Sequence, residues 1–240
     1  MLLIALAIAP GVAVCLFIYS LQRLGKSSMR YLVTAFVLGA VATLPALAVQ
    51  LLAVDVRAEP WRHSILSYIW YAFGIVAFSE EGSKFLVLRL YAYPKEAFRE
   101  PFDGVIYCVM IGMGFATVEN IEYVHQFGLE TGVSRFFLAI PAHASFAVLM
   151  GYPVGRAKFA RKHALGLMLR GLGIAVLLHG SFDFFLFLQQ SREATKYLST
   201  GVLSFGAFAT FYIAVRLAMR ALRLHRSQRE EEAENNQQLN

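Results

Sequence analysis

The 240-residue chain is poor in cysteine and in charge. Its two cysteines, Cys15 and Cys108, both lie in apolar stretches, which excludes a disulfide framework and a metal site built on cysteine alone. Charged residues are 16 % of the total and hydrophobic residues 58 %. A soluble domain carries about 25 % charged residues, so an ordinary water-soluble globule is excluded. No GxGxxG or P-loop pattern occurs, which leaves a nucleotide site without support, and no feature points to a nucleic-acid partner. No GxSxG turn surrounds a serine, and no helical HExxH is present. There is no internal repeat, no soluble domain and no loop longer than about a dozen residues.

What is abundant is apolar mass. Twenty Phe, 11 Tyr and 2 Trp exclude disorder for all but the tail. A membrane-spanning helix needs about 20 mostly apolar residues. Seven stretches qualify: residues 2–21, 31–54, 65–90, 102–124, 136–154, 164–188 and 197–218. The pattern predicts an all-α, polytopic membrane helical bundle over residues 1–219. Residues 220–240 form a basic, then acidic cytoplasmic tail, partly disordered, whose basic part lies against anionic lipid head groups. The first stretch has no basic region before it, so it reads as a retained helix rather than a signal peptide.

Lys and Arg in the connections set the orientation. The loops after the first, third and fifth stretches, together with the C-terminal segment, hold sixteen of the 22 basic residues. The opposite face holds five: Arg57, Arg62, Arg135, Arg192 and Lys196. This split predicts an N-terminus outside and a C-terminus in the cytoplasm.

Charge inside a span is costly, roughly 2.5–3.5 kcal/mol per residue on insertion scales. The spans nevertheless contain Glu80, Glu81 and Lys84 on the third, Glu119 on the fourth and Asp183 on the sixth, joined by His143 on the fifth and His179 on the sixth. Glu122 lies nearer an end. His179 and Asp183 are four apart in HGSFD, and Lys84 is four from Glu80 and three from Glu81 in EEGSK, so each set shares a helix face. Structural pairing accounts for one pair but not for four acids against one lysine. Protonated carboxyls, protonated histidines or a bound cation would restore the balance. The first two make general acids and bases, and the third is a metal site. Counted from the span ends, Glu119, His143, His179 and Asp183 fall in the outer half, roughly 7–14 Å deep at 1.5 Å per residue. Glu80 reaches the same level if the third helix enters the membrane near Trp70, with residues 61–67 interfacial, so that helix is expected to project or tilt.

Such a cluster suits hydrolysis. A carboxylate activates water, and histidine, lysine, asparagine or a metal stabilises the oxyanion. His143 and His179 with Glu119, or with another of the acids, make a three-ligand set for a divalent metal such as zinc, and a metal-free mechanism stands beside it. Ser145 lies two residues from His143 without a nucleophile turn. Cys108 reads as a packing residue rather than a thiol nucleophile. An ion- or proton-coupled transporter using the same acids is the rival reading. It requires paired broken helices and a polar route to both faces, and the cytoplasmic half has no comparable row of acids. An inactive scaffold of the same fold is the third reading.

The motifs IAPG (residues 8–11), EEGSKF, EPFDGVIY, GFATVENIEYV, PAHASFAVLMGY and LHGSFDF, in that order, resemble the PrsW family of bacterial intramembrane proteases. That family is distantly related to the CAAX-prenyl endopeptidases and their bacteriocin-protection relatives. The resemblance implies a multi-pass protease of the bacterial cell membrane that cuts a single-pass membrane protein, in known examples an anti-sigma factor. By motif it implies catalytic roles for Glu80, Glu81, Lys84, Glu119, His143, His179 and Asp183. By analogy with the CAAX-type relatives, Glu80 is the general base and Glu81 orients it or the substrate.

Overall fold

The computed structural model describes residues 2–20, 29–53, 64–160 and 162–238. Arg23, Lys26, Arg57, Arg62 and Arg161, which carry part of the charge asymmetry, lie outside these residues, as do positions 61–63 of the expected interfacial segment.

Among the described residues every regular element is a helix. In chain order they are α1 (Leu2–Ser20), α2 (Met29–Val41), α3 (Thr43–Ala53), α4 (Ile65–Ile69), a π-helical stretch Trp70–Ala77, α5 (Phe78–Val87), a second π-helical stretch Leu88–Ala92, α6 (Pro101–Phe137), α7 (Ala139–Phe159), α8 (Ala164–Leu188), α9 (Ala194–Tyr197) and α10 (Thr200–Gln238). Four segments are long and apolar enough to cross a membrane: Met29–Ala53, Pro101–Phe159, Ala164–Leu188 and Thr200–His225. The chain is a polytopic membrane protein. Leu52, Leu66, Leu90, Leu165 and Phe205 point outward, an apolar surface that water would penalise and lipid accepts.

Two segments depart from uninterrupted helix. The stretch expected over 31–54 is broken at Ala42 into α2 and α3. Pro45, in the first turn of α3, has no N–H to give to the Val41 carbonyl, so the break falls where a helical bond cannot form. Residues 125–135, expected as a connection, are helical up to a sharp turn at Gly128, whose φ of 81° is open to glycine at little cost. Beyond Gly128 the chain runs back along itself. Gly132 packs on Val124, Arg135 reaches Asn120, Gly112 meets Ala147, and Gly104 meets Gly151. All these pairs lie on one antiparallel register, so α6 and α7 form a single long hairpin about Gly128.

The N-terminal half of α6 is the core of the molecule. Every residue from Phe102 to Thr117 is buried, as a helix apolar all round must be. Small residues let the backbones approach: Gly104 against the Gly151 carbonyl and Gly155, Gly39 against the Ile111 backbone, Gly114 against the Phe36 backbone. EPFDG is the start signal of this helix. Asp103 Oδ2 accepts from the backbone N–H of Arg99 at 2.7 Å and of Glu100 at 3.0 Å, and Pro101 occupies the first turn, where its missing donor is not needed.

Candidate functional site

α5 carries FSEEGSKF. Glu80 and Glu81 sit in its first turn, and Lys84 lies one turn on. All three side chains are buried. The π-helical stretch that leads into α5 is wider than an α-helix, and such stretches gather at functional sites. α8 brings His179 and Asp183 on one face. α7 brings His143, and α6 brings Glu119.

The structure draws all seven sequence-predicted residues into one linked cluster. Lys84 Nζ lies 2.7 Å from Glu81 Oε1, 3.4 Å from Glu80 Oε2 and 3.3 Å from His143 Nδ1. Glu81 Oε1 also takes His179 Nδ1 at 2.8 Å. The other His179 nitrogen, Nε2, is 3.1 Å from Asp183 Oδ2 and 3.9 Å from Glu80 Oε2. His143 Nε2 is 3.0 Å from Glu119 Oε2. The Lys84 ammonium stands 4.1 Å from the centre of the Phe115 ring, which helps to hold a buried cation. His179 stacks on Phe146 with centroids 5.2 Å apart, and its ring meets that of His143 edge-on at 5.2 Å.

The two glutamates differ in setting. Glu81 is 1 % exposed and committed to Lys84 and His179. Glu80 lines a cavity of about 650 Å³, and its contacts are longer, including 3.3 Å from Gln50 Nε2 to its Oε1. The cavity is also lined by Glu119, His143, His179 and Asp183, with Tyr71, Phe146, Phe182 and Phe187 as apolar walls. Glu122 lines it too; it is exposed and accepts from Gln126 at 3.1 Å.

Two further residues join the cluster that the sequence reading did not assign to it. By sequence Arg135 is a charge of the outer face. Its Nη2 lies 3.1 Å from Glu119 Oε2, so among the described residues a cation besides Lys84 stands against one acid of the cluster. Gln50, from α3, reaches Glu80 and Ser79. The signal for Arg135 was Gly128: a chain folded back there places residue 135 beside residue 120. Gln50 is an isolated polar residue in an apolar helix and carried no comparable signal. Ser145 donates to the Pro141 carbonyl of its own helix at 2.8 Å, and Cys108 is buried. Neither is presented as a nucleophile.

Glu80, Glu81, His143 and His179 each offer one ligand atom, and these four atoms lie within 4.8 Å of one another. Two imidazoles and two carboxylates are the donor types that zinc accepts, so this group could hold a metal ion. Lys84 already touches three of the four, so the cluster is built around positive charge.

Comparison with known proteins gives the same family as the motifs. Residues 27–223 match the model of the PrsW family intramembrane metalloproteases. A protein named Protease PrsW from Shouchella clausii is 34 % identical over 184 residues, covering 77 % of this chain and 83 % of the relative. Protease PrsW of Bacillus subtilis is 33 % identical over 187 residues, covering 77 % and 82 %. The protein of the same name from Clostridioides difficile is 31 % identical over 193 residues, covering 78 % and 80 %. No solved structure matches the chain.

Proposed function

The chain belongs to the PrsW family of intramembrane metalloproteases, multi-pass proteins of bacterial membranes that act on membrane proteins, and from that premise we propose a specific reaction. The substrate is a single-pass membrane protein, by resemblance a regulator of the anti-sigma-factor type. The bond cut lies within or beside its span. The observation that carries the reading is the position of Glu80: it faces the cavity, while Glu81 behind it is tied to Lys84 and His179.

Glu80 takes a proton from a water in the cavity. The hydroxyl oxygen then bonds to the scissile carbonyl carbon, and the carbonyl electron pair moves onto its oxygen. His143 and His179, on the cavity wall, face that developing charge. As the oxyanion's electron pair re-forms the carbonyl and the C–N bond breaks, the proton held by Glu80 passes to the leaving nitrogen. This gives a carboxylic acid and an amine, which then become carboxylate and ammonium by passing the acid proton to the amine. Glu81 and Lys84 fix the orientation of His179 and balance the charge of the acids. His143 and His179 with a carboxylate of the cluster would hold a divalent cation, zinc by its donor preference. Bound there, the metal supplies Lewis-acid stabilisation of the oxyanion and a more acidic water.

Glu119 stands nine residues before the Gly128 turn, roughly 13 Å along α6. The charge asymmetry of the sequence supports reading that end of the hairpin as the outer one. The cut therefore falls in the extracytoplasmic half of the substrate's span.

The test is cleavage of a purified single-pass substrate by purified protein in detergent, with the cut mapped by mass spectrometry. Wild type is expected to give two fragments cut in or next to the span. Glu80→Ala and His179→Ala are expected to insert normally and give none. Undiminished turnover in either variant removes the reading.

A further inference from the structure

Arg135 lies on the returning arm of α6, between the Gly128 turn and the start of α7. Its guanidinium is held from three directions. Nη2 is 3.1 Å from Glu119 Oε2, Nε donates to Asn120 Oδ1 at 2.7 Å, and the group lies 4.0 Å from the centre of the Tyr123 ring. Glu119, Asn120 and Tyr123 all come from the outgoing arm. Asn120 is wholly buried, and its own amide is fixed because Nδ2 donates to the Ala7 carbonyl of α1 at 3.2 Å. Asn120 Oδ1 is therefore a stationary acceptor, and it sets the angle at which the guanidinium meets Glu119.

The contact continues into the site. The oxygen of Glu119 that faces Arg135 is also the one 3.0 Å from His143 Nε2. On the other side of that ring, Nδ1 faces Lys84 Nζ at 3.3 Å. An ammonium only donates, so in the ring as it stands Nδ1 accepts and the proton sits on Nε2, the nitrogen 3.0 Å from Glu119; a metal held by His143 would displace one of these partners. A carboxylate in this place fixes both the tautomer and the rotation of an imidazole. That carboxylate is itself placed by Arg135.

We propose that Arg135 is a positioning residue for peptide hydrolysis: by gripping Glu119 and Asn120 together it holds Glu119 against His143, and so presents the His143 ring to the cavity. This rests on the reaction centre proposed above. The role needs a planar fork. A lysine carries the charge but has no rigid plane in which one nitrogen bonds the Asn120 amide oxygen while another stands at ion-pair distance from Glu119.

The test is steady-state cleavage of a single-pass substrate by purified wild type, Arg135→Gln, Arg135→Lys, Glu119→Gln and the Arg135→Gln/Glu119→Gln double variant. Fold integrity is checked by the thermal midpoint in detergent. Loss of a partner that orients an active-site ligand lowers activity roughly 10–100-fold. The expected result is a kcat loss of that size in Arg135→Gln with KM little changed, a similar loss in Arg135→Lys, and a double variant no slower than Glu119→Gln alone. A merely structural brace would lower the thermal midpoint and leave kcat per folded molecule intact. If Arg135→Gln does not fold, Arg135→Lys alone decides. Wild-type kcat in either folded Arg135 variant, or losses that multiply in the double variant, overturns the inference. Glu80→Gln separates the two levels. If it still cuts, the reaction centre itself is wrong. If it is inactive while the Arg135 variants turn over at the wild-type rate, only the role of Arg135 is wrong.

Discussion

Glu81 Oε1 and His179 Nδ1 lie 2.8 Å apart, although 98 residues separate them in the chain, and both side chains are buried. The contact joins α5 to α8 at the depth where Lys84, His143 and Asp183 also meet. It places on one carboxylate oxygen the only described contact to His179 Nδ1. Glu81 therefore acts as the anchor of the cluster, and Glu80, beside the cavity, is its free edge.

Glu81→Gln and Glu80→Gln are expected to behave differently. Both should lower kcat, Glu80→Gln by roughly the 10²–10⁴-fold that proton transfer contributes. Glu81→Gln should also lower the thermal midpoint, because it weakens the contacts to Lys84 and His179 together. Glu80→Gln should leave the midpoint near wild type, because its contacts are long. Thermal unfolding in detergent beside the cleavage assay checks this. A larger destabilisation in Glu80→Gln would reverse the assignment.

Lys84→Ala leaves Glu80 and Glu81 without their buried counter-ion. Removing one partner of a buried pair is expected to destabilise by about 3–5 kcal/mol. The protein should reach the membrane at lower yield, melt earlier and fail to cleave. Wild-type stability in this variant would mean that the acids are neutralised by something other than Lys84.

The legibility of this molecule in its sequence varied by feature. The all-α membrane architecture was plain, because long apolar runs have no other stable form in lipid. The paired groups on α5 and α8 were plain too, because helical spacing alone puts them on shared faces. The break at Ala42 and the returning arm after Gly128 were not. Both depend on single residues, Pro45 and Gly128, inside runs that hydropathy reads as continuous or as loop. The role of Arg135 was hidden for the same reason: the sequence reads it as a charge of the outer face, and only the fold-back makes it a partner of Glu119. Gln50 was invisible because its role depends on how α3 packs beside α5, which no local pattern records.

Metal content is expected to follow the two histidines. Purified protein should carry about one equivalent of a divalent metal, zinc by donor type. His143→Ala and His179→Ala should each lose it, and Ser145→Ala should keep it. Elemental analysis reads this directly. A chelator should stop cleavage, and added zinc should restore it. Full cleavage by metal-free protein would leave Glu80 and its neighbours to activate water unaided.

The α6–α7 hairpin should tolerate little bulk at its glycines. A side chain at Gly104 would meet the Gly151 carbonyl and the Gly155 backbone, neither of which can rotate away. Gly104→Val is expected to destabilise by about 1–3 kcal/mol or more through overpacking. Gly166→Val, in open space at the start of α8, should cost far less. Comparable melting of the two variants would contradict the close packing of α6 on α7.

The central claim is that groups from α5, α6, α7 and α8 act as one hydrolytic centre. Its most direct test is the single-turnover rate of cleavage of a single-pass substrate in proteoliposomes, for wild type, Glu80→Gln, His143→Gln and the two combined. Residues that act as a unit give strongly non-additive losses. The account predicts that each single substitution removes nearly all the rate, and that the double variant is no slower than the slower single. Cleavage at the wild-type rate by either single variant would contradict it.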